Sequence, residues 1–425
     1  MSGKSALSNA NMPYLNYKHV IRQELDESYT DTTSDDYDGE DDDGSGADTD
    51  HDVGVDDTGS KETMWLGFVE KPEKRSSLLR HSFPSKAGGT PAWLDPVHLP
   101  TGKSYLCDFC EEPLQFVLQV YAPINNESAQ HRMFFVFMCP SMTCLRKDQH
   151  EQQKKANEAR SRSVKVFRCQ LPLLNPFYKL KNHHNNGSTS HSQLEAPLCS
   201  WCGTWKGNQL CSGCRRVCYC SKKHQILHWR SHHKDDCNQL SNSSLHDGKS
   251  ASAKIERASN SLWHEYEIVF GRRKFTTQVS KCGSSLVSEC NDTGSSLMSI
   301  QGMDGNMKSA LEDLDGENEK KSLASFAKHI SEDPAQVLRC WVSDGKPLWP
   351  ESHRSPSTAN IPQCTYCNGS LRFEFQIMPQ LLYYFGVENE VDSLDWATIA
   401  IYTCNSSCDS NVAYMEEFPL VQLYS

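Results

Sequence analysis

Short stretches of alternating hydrophobic and polar residues run through this chain and predict β-strands. Phe373, Phe375 and Ile377 alternate with polar residues, as a sheet with one buried face requires. Apolar runs at residues 114–120 and 134–138 also have strand character. The longest wholly apolar run contains residues 134–138 and is far shorter than the roughly 20 residues that span a bilayer, so we do not expect a membrane protein.

The strand pattern occurs twice, on either side of the middle of the chain. In each unit a Cys-x-x-Cys pair precedes one apolar run, and a second cysteine pair follows a later run. The first unit contains Cys107, Cys110, Cys139 and Cys144, and the second contains Cys364, Cys367, Cys404 and Cys408. This layout is typical of a zinc ribbon and makes these cysteines further candidate metal ligands. The alternative is a hydrophobic β core with incidental buried cysteines, and the spacing leaves both interpretations open.

Stretches rich in Ser, Gly, Asn and acidic residues separate the β units and lack apolar periodicity. The expected organisation is a disordered acidic extension at 1–61, a β unit at 62–180, a cysteine-rich module at 198–237, a mostly disordered linker and insertion at 238–325 with a strand near 262–270, and a second β unit at 326–425. Each β unit alone has an unfinished sheet, so we expect the two to pack as one body. The predicted fold is mainly β with small α content.

Charge is distributed unevenly along the chain. The 425 residues carry a formal net charge of −11 and only 37% are hydrophobic, so a large part lies outside any core. Aspartates concentrate in residues 31–57, and the rest of the chain is nearly neutral. Residues 198–237 are locally basic, but they contain no helix with base-reading residues in a finger register. Direct nucleic-acid recognition is therefore not expected.

The cysteine-rich module has the ligand spacing of two structural zinc sites. A Cys-x-x-Cys turn presents two thiolates to one tetrahedral Zn²⁺, and a second pair must complete the site. The first site would use Cys199, Cys202, Cys220 and His224, and the second Cys211, Cys214, His233 and Cys237. Residues 1–10 show no secretion signal, which favours zinc over disulfides. Closed four-ligand sites leave no position for substrate, so these zinc ions are expected to be structural, and Cys218 to be a packed thiol.

This interleaved order, together with residues 219–221 and 228–230, resembles the MYND zinc finger, a cross-braced pair of zinc sites with short helices. The family spacing favours His233 over the adjacent His232 as the ligand, although the residues leave that choice open. His224 stands where many MYND fingers carry a cysteine, which zinc tolerates. The resemblance implies two zinc ions in the finger, and up to four in the protein if both β units bind zinc.

Several longer motifs occur around the finger, at residues 66–70, 88–94, 118–123 and 373–382, and with it they resemble the programmed cell death protein 2 family. The resemblance implies a non-enzymatic protein of the cytoplasm and nucleus. It implies a dedicated chaperone, in ribosome biogenesis, for a newly made, basic small-subunit ribosomal protein. The acidic extension and the insertion after Val269 depart from the family core.

An alternative function is a transcriptional or apoptotic adaptor whose MYND groove binds proline-rich partners. It requires exposed aromatic side chains beside the zinc, for which Trp201, Trp205 and Trp229 are candidates, although packing inside the module is the favoured interpretation for Trp229. An enzyme is not expected, because the chain lacks a P-loop, a Gly-x-Ser-x-Gly motif, a methyl-donor signature and an open metal site. We expect a monomer.

Overall fold

The computed structural model describes residues 63–152, 161–178, 195–242, 262–274, 317–341, 345–352, 361–387 and 392–423. The disordered extension predicted at 1–61 and most of the linker predicted at 238–325 lie outside these residues. Residues 238–242 and 317–325 are described and are helical, which differs from the linker prediction. Helix formation at 317–325 follows from an apolar stripe, because Leu323, Phe326 and Ala327 are all buried.

The described residues form twelve strands and five α-helices, so the fold is mainly β as predicted. The strands are β1 Thr63–Glu70, β2 Lys86–Ala87, β3 Gln115–Tyr121, β4 His131–Met138, β5 Val164–Leu171, β6 Gln209–Leu210, β7 Cys218–Tyr219, β8 Tyr266–Lys274, β9 Gln336–Trp341, β10 Leu371–Ile377, β11 Thr398–Cys404 and β12 Tyr414–Gln422. The helices are α1 Met142–Glu151, α2 Lys222–His228, α3 Lys234–Asn242, α4 Glu317–Glu332 and α5 Gln380–Tyr384. Short 3₁₀ turns occupy Arg75–Leu78 and Arg80–Ser82, and a π-helical turn, Trp229–His233, joins α2 to α3.

Ten strands pair into one closed antiparallel sheet in the order β1-β8-β2-β3-β4-β5-β12-β11-β10-β9, with β9 returning to β1. We call β2–β5 the N-half and β9–β12 the C-half. The two remaining strands are exchanged between them. β1 precedes the N-half in sequence but pairs with β9, whereas β8 precedes the C-half but pairs with β2. Each half therefore depends on a strand from the other side of the finger.

Close packing of the exchanged strand β1 explains one glycine. A Cβ atom on Gly67 would lie 2.9 Å from the Cβ of Leu338 on β9, a distance that real side chains do not adopt. The backbones of β1 and β9 can approach because that atom is missing. In the sequence, a single glycine is only a weak indication of this strand exchange. Each β unit alone was expected to have an unfinished sheet with an open edge, whereas the strands of both units together form one closed sheet.

A second junction, which we call the seam, joins β5 of the N-half to β12 of the C-half. Residues 166–169 pair with residues 414–417. Two ion pairs also cross between the halves: the buried pair of Arg168 with Glu417 and the partly buried pair of Arg132 with Glu374. These pairs, with the exchanged strands, make the two β units one body.

Apolar side chains fill three regions around this sheet. The largest cluster lies within it and includes Phe134, Val166, Phe375 and Ile401 from both halves. The outer face of the N-half forms a second cluster with the finger, and the outer face of the C-half forms a small third one. In the described part of the chain, no helix has the length and apolar character to cross a membrane.

Candidate metal centres

Four groups of Cys and His side chains have ligand atoms within 4.8 Å of one another in the described residues. They are the sets expected from the sequence: Cys199, Cys202, Cys220 and His224; Cys211, Cys214, His233 and Cys237; Cys107, Cys110, Cys139 and Cys144; and Cys364, Cys367, Cys404 and Cys408. The structure brings the cysteine pairs of each β unit together although about 30 to 40 residues separate them in sequence. The finger and both tetracysteine groups are compatible with zinc binding.

The spacing between sulfur atoms supports a tetrahedral ion. Zinc–sulfur bonds of about 2.3 Å at tetrahedral angles place two thiolates about 3.8 Å apart. The sulfurs of Cys202 and Cys220 are 3.9 Å apart, and those of Cys211 and Cys237 are 3.8 Å apart. In the β units the corresponding separation is 3.6 Å for Cys110 and Cys139, and 3.7 Å for Cys364 and Cys408. All four groups therefore have similar dimensions.

The same tight turn follows the Cys-x-x-Cys pair in all four groups. The residue after the second cysteine has a left-handed backbone: Gly203 at φ 63°, Arg215 at 54°, Glu111 at 57° and Asn368 at 57°. In each case its N–H donates to the carbonyl oxygen of the first cysteine, at 2.8 to 3.0 Å. Left-handed geometry costs an Arg or Glu roughly 1–2 kcal/mol, which a bound metal offsets. The tetracysteine groups thus share the backbone design of the finger.

His233, and not His232, belongs to the second finger site. His233 Nε2 lies 3.4 Å from Cys211 Sγ and 3.7 Å from Cys214 Sγ. The Nε2 atom of His232 faces that of His228 at 3.1 Å instead. The π-helical turn over residues 229–233 produces this arrangement, because its wider turn directs His233 inward.

The thiols in these groups require a cation to ionise together. Hydrogen bonds with Cys202 and Cys220 lower the pKa of the Cys199 thiol, while the hydrogen bond with Cys199 raises the pKa of Cys220. A hydrogen bond with Cys139 lowers the pKa of Cys107 to about 5. In each case one thiol ionises more readily and the adjacent thiol ionises less readily, because adjacent negative charges repel one another. A divalent ion removes this conflict.

Trp205 fixes the finger to the N-half. It is fully buried, its ring centre lies 4.3 Å from that of Phe137 on β4, and its Nε1 donates to the carbonyl oxygen of Leu114 at 2.7 Å. Tyr105 donates its hydroxyl to the carbonyl oxygen of Cys220 at 3.0 Å. The finger is therefore packed on the sheet, which the sequence did not predict.

Two of the three finger tryptophans differ from expectation. Trp205 is fully buried and so is not an exposed aromatic side chain, whereas Trp229 is 42% exposed instead of packed inside the module. Trp201 is half-buried. Ile226 and Leu210 are 41% and 62% exposed. Because Ile226 and Trp229 are three residues apart on continuous helix, they share one face. We call Ile226 and Trp229 the finger patch.

The sequence analysis also did not predict the roles of two charged residues beside the tetracysteine groups. Arg168 of β5 donates to Glu417 of β12 and to the carbonyl oxygen of Cys408. Asp148 of α1 is fully buried, and its Oδ2 accepts the N–H of Val164 at 3.0 Å. For Arg168 the available signal was a charged residue in a largely apolar strand, which requires a partner when buried. The helix of Asp148 is mostly polar and gave no such signal.

Comparison with known proteins agrees with this architecture. Family models for the programmed cell death protein 2 N-terminal domain, the MYND finger, and the programmed cell death protein 2 C-terminal putative domain match residues 63–185, 199–237 and 320–423. "Programmed cell death protein 2" of Rattus norvegicus is 34% identical over 84% of this chain and 95% of its own length. The Bos taurus protein of that name is 33% identical over 83% of this chain and 94% of its own length.

A more distant relative has the same extent. "Programmed cell death protein 2-like" of Homo sapiens is 26% identical over 80% of this chain and 89% of its own length. No solved structure matches the chain. The two terminal domains, the finger between them, and the identity over most of the chain show that this protein belongs to the programmed cell death protein 2 family.

Proposed function

We propose that this protein is a non-enzymatic protein-binding factor that acts as a dedicated chaperone for a newly made, basic protein of the small ribosomal subunit, which we call the client. The finger patch supports the protein-binding part, because Ile226 and Trp229 present apolar side chains to solvent on one helical face. Neither the family nor the MYND finger is known as an enzyme. All four metal groups are closed ligand sets, which suits structural ions.

The charge of the chain supports a basic client. A ribosomal protein carries dense positive charge for RNA, and unshielded it binds nucleic acid nonspecifically or aggregates. This chain has a net charge of −11, with many aspartates in residues 31–57. Long-range attraction between opposite charges speeds encounter more than it strengthens the final complex. The acidic run therefore acts on the association rate in this proposal.

The closed sheet limits the ways in which this protein could bind the client. Addition of a client strand needs an unpaired strand edge. The ten strands pair in a closed order, so in this proposal specificity comes from side-chain surfaces such as the finger patch. We place this function in the cytoplasm and nucleus and in a monomer, as expected from the sequence.

The identity of the bound proteins tests the proposal. Full-length tagged protein is isolated from cells, and its bound proteins are identified by mass spectrometry, with Trp201→Ala as a matched control for Trp229→Ala. The proposal expects one basic small-subunit ribosomal protein as the main partner, reduced in Trp229→Ala. A set of nuclear regulators without a ribosomal protein would contradict it.

The acidic run has its own test. Association of the purified client is measured with the full chain and with a variant lacking residues 1–60, at low and high salt. We expect the deletion to lower the on-rate at low salt, with little difference at high salt because ions screen the attraction. An on-rate that is unchanged at both salt concentrations would mean that residues 1–60 do not steer association, and the chaperone function would then depend on the rest of the chain.

The finger patch also favours a second candidate function, the MYND-dependent transcriptional or apoptotic adaptor. Ile226 and Trp229 lie on one helical face, and an exposed aromatic side chain is suited to stack on proline rings. Binding of proline-rich peptides that is lost in Trp229→Ala, together with normal client binding by that variant, would favour the adaptor.

A further inference from the structure

The two tetracysteine sites lie beside the seam, a four-residue ladder that joins the N-half directly to the C-half. The seam pairs residues 166–169 of β5 with residues 414–417 of β12. The junction between β1 and β8 is longer, because it pairs residues 63–70 with residues 267–274. A short ladder has few hydrogen bonds of its own, so contacts beside it contribute strongly to its stability.

Beside the seam, β5 holds the loop that carries Cys408. Arg168 Nη2 donates to the carbonyl oxygen of Cys408 at 3.1 Å, and Gln170 Nε2 donates to the same oxygen at 3.4 Å. Glu417 of β12 accepts the Arg168 Nε at 2.5 Å and the backbone N–H of Cys404 at 3.1 Å. Two ligands of the C-terminal site and both strands of the seam therefore share one hydrogen-bond network.

The N-terminal site contacts the start of β5 and the end of β12. The N–H of Cys139 donates to the carbonyl oxygen of Ser163 at 2.8 Å, one residue before β5. Cys144 belongs to α1, and Gln152, the residue directly after that helix, accepts the N–H of Val421 on β12 through its Oε1 at 2.9 Å. A metal that fixes Cys139 and Cys144 thus positions the start of β5 and the end of β12, both just beyond the paired residues of the seam.

The finger sites contact the sheet in a different way. The finger lies on the outer face of the N-half, where Trp205 Nε1 donates to the carbonyl oxygen of Leu114 and the Tyr105 hydroxyl donates to that of Cys220. These hydrogen bonds lie outside the seam, and the finger reaches the seam residues Phe167, Cys169 and Tyr414 through a shared apolar cluster. The finger therefore provides an internal control, with metal groups of the same type on the same sheet.

We propose that zinc in the two tetracysteine sites holds the seam closed, so that occupancy of these sites, and not of the finger, determines whether β5 and β12 stay joined. Arg168 and Gln170 act as positioning residues. Through their hydrogen bonds to Cys408, a loop that is ordered by the metal holds β5 in place. The C-terminal site contains the exposed Cys367 and the half-buried Cys408, whereas the second finger site is buried throughout. We therefore expect the C-terminal site to lose zinc to a chelator first.

Hydrogen exchange on the full-length protein tests the proposal. Zinc content is measured by elemental analysis, and amide exchange is followed in β5 and β12 for wild type, Cys408→Ser and the control Cys214→Ser. Four zinc ions are expected in wild type and three in each variant, in line with the four ligand groups. Exchange in β5 and β12 should rise about tenfold or more in Cys408→Ser alone, since bonds to charged groups are lost there.

A variant that keeps the ligands separates positioning from metal binding. Arg168→Gln should retain four zinc ions and still show faster exchange in β5 and β12, with partial rescue by Arg168→Lys. If Cys408→Ser does not fold, graded chelation of the wild-type protein replaces it, and seam exchange should rise with the first zinc released. Unchanged seam exchange after loss of that zinc overturns the proposal, and so does a wild-type protein with only two zinc ions.

Discussion

The outer faces of the two halves have similar designs but different covers. In the N-half, buried Gln119 accepts the N–H of Ala92 at 2.8 Å and holds the loop of Trp93 on the sheet. In the C-half, buried Gln376 accepts the N–H of Leu348 at 2.7 Å beside Trp349. The N-half face is then covered by the finger, whereas in the described residues no second folded module covers the C-half.

Because the finger covers the N-half, it is part of the packing of that half. In the sequence it is an insertion between two β units, but in the structure Trp205 and Phe137 make it part of the N-half core. The apolar outer cluster of the C-half is correspondingly small, with Ala400, Tyr402 and Leu420 as its buried members. A boundary between sequence domains is therefore not a boundary between packed bodies here.

Of the changes that test the difference between the two halves, loss of a finger zinc should have the largest effect. Cys214→Ser removes one ligand of a closed site, and a structural zinc contributes on the order of 10 kcal/mol to finger folding. We expect one zinc fewer by elemental analysis, local unfolding of residues 211–237, and increased binding of a hydrophobic dye at the uncovered N-half. Cys218→Ser is the control, because Cys218 belongs to neither finger group. Full retention of zinc in Cys214→Ser would contradict the ligand assignment.

Removal of the finger anchor should have the next largest effect. Trp205→Ala leaves a cavity against Phe137 and an unpaired carbonyl at Leu114, at a cost of about 3–5 kcal/mol in the free energy of unfolding. Trp229→Ala serves as the exposed control and should change that energy by only about 0.5 kcal/mol. Urea unfolding measures both variants. Similar losses in the two would mean that the finger is not anchored through Trp205.

The shared design of the halves predicts a smaller and balanced effect. Gln119→Ala and Gln376→Ala each leave a loop N–H without its acceptor, which costs about 1–3 kcal/mol. Gln209→Ala is the control, because Gln209 is exposed. Urea midpoints should fall by similar amounts in the two buried variants. A loss confined to one of them would show that the halves are not equivalent.

The pH dependence contributed by the N-half should be the smallest effect. Burial lowers the pKa of His131 from 6.5 to about 4, and the ring of Phe83 stacks on it at 4.3 Å. Between pH 4 and 6.5 the unfolded chain binds more protons than the folded one, so stability falls as the pH drops through this window. His131→Asn should lose less stability than wild type between pH 7 and pH 5 in urea unfolding. Equal losses would contradict this contribution.

The sequence indicated the members of the four ligand groups because each contains a Cys-x-x-Cys pair, although the spacing alone did not decide whether the cysteines of the β units bind a metal. Cys364-x-x-Cys367 and the register of Gln376 with Gln119 are visible as a repeat, and the structure brings the corresponding cysteines together. The seam and the strand exchange were not predictable, because pairing of β1 with β9 joins residues about 270 positions apart. Residues 336–341 form β9 within the predicted second β unit, because the side chains of Val337 and Leu338 enter the sheet core.

The central claim is that the two β units form one closed sheet through exchanged strands. A protease site is placed between residues 274 and 317 of the full-length protein, after β8 and before α4, and the chain is cut after folding. The account predicts that both fragments copurify as one body with unchanged zinc content, because the C-half remains paired with β1 and β5. Separation of the fragments under native conditions into two independently folded, stable monomers would contradict it.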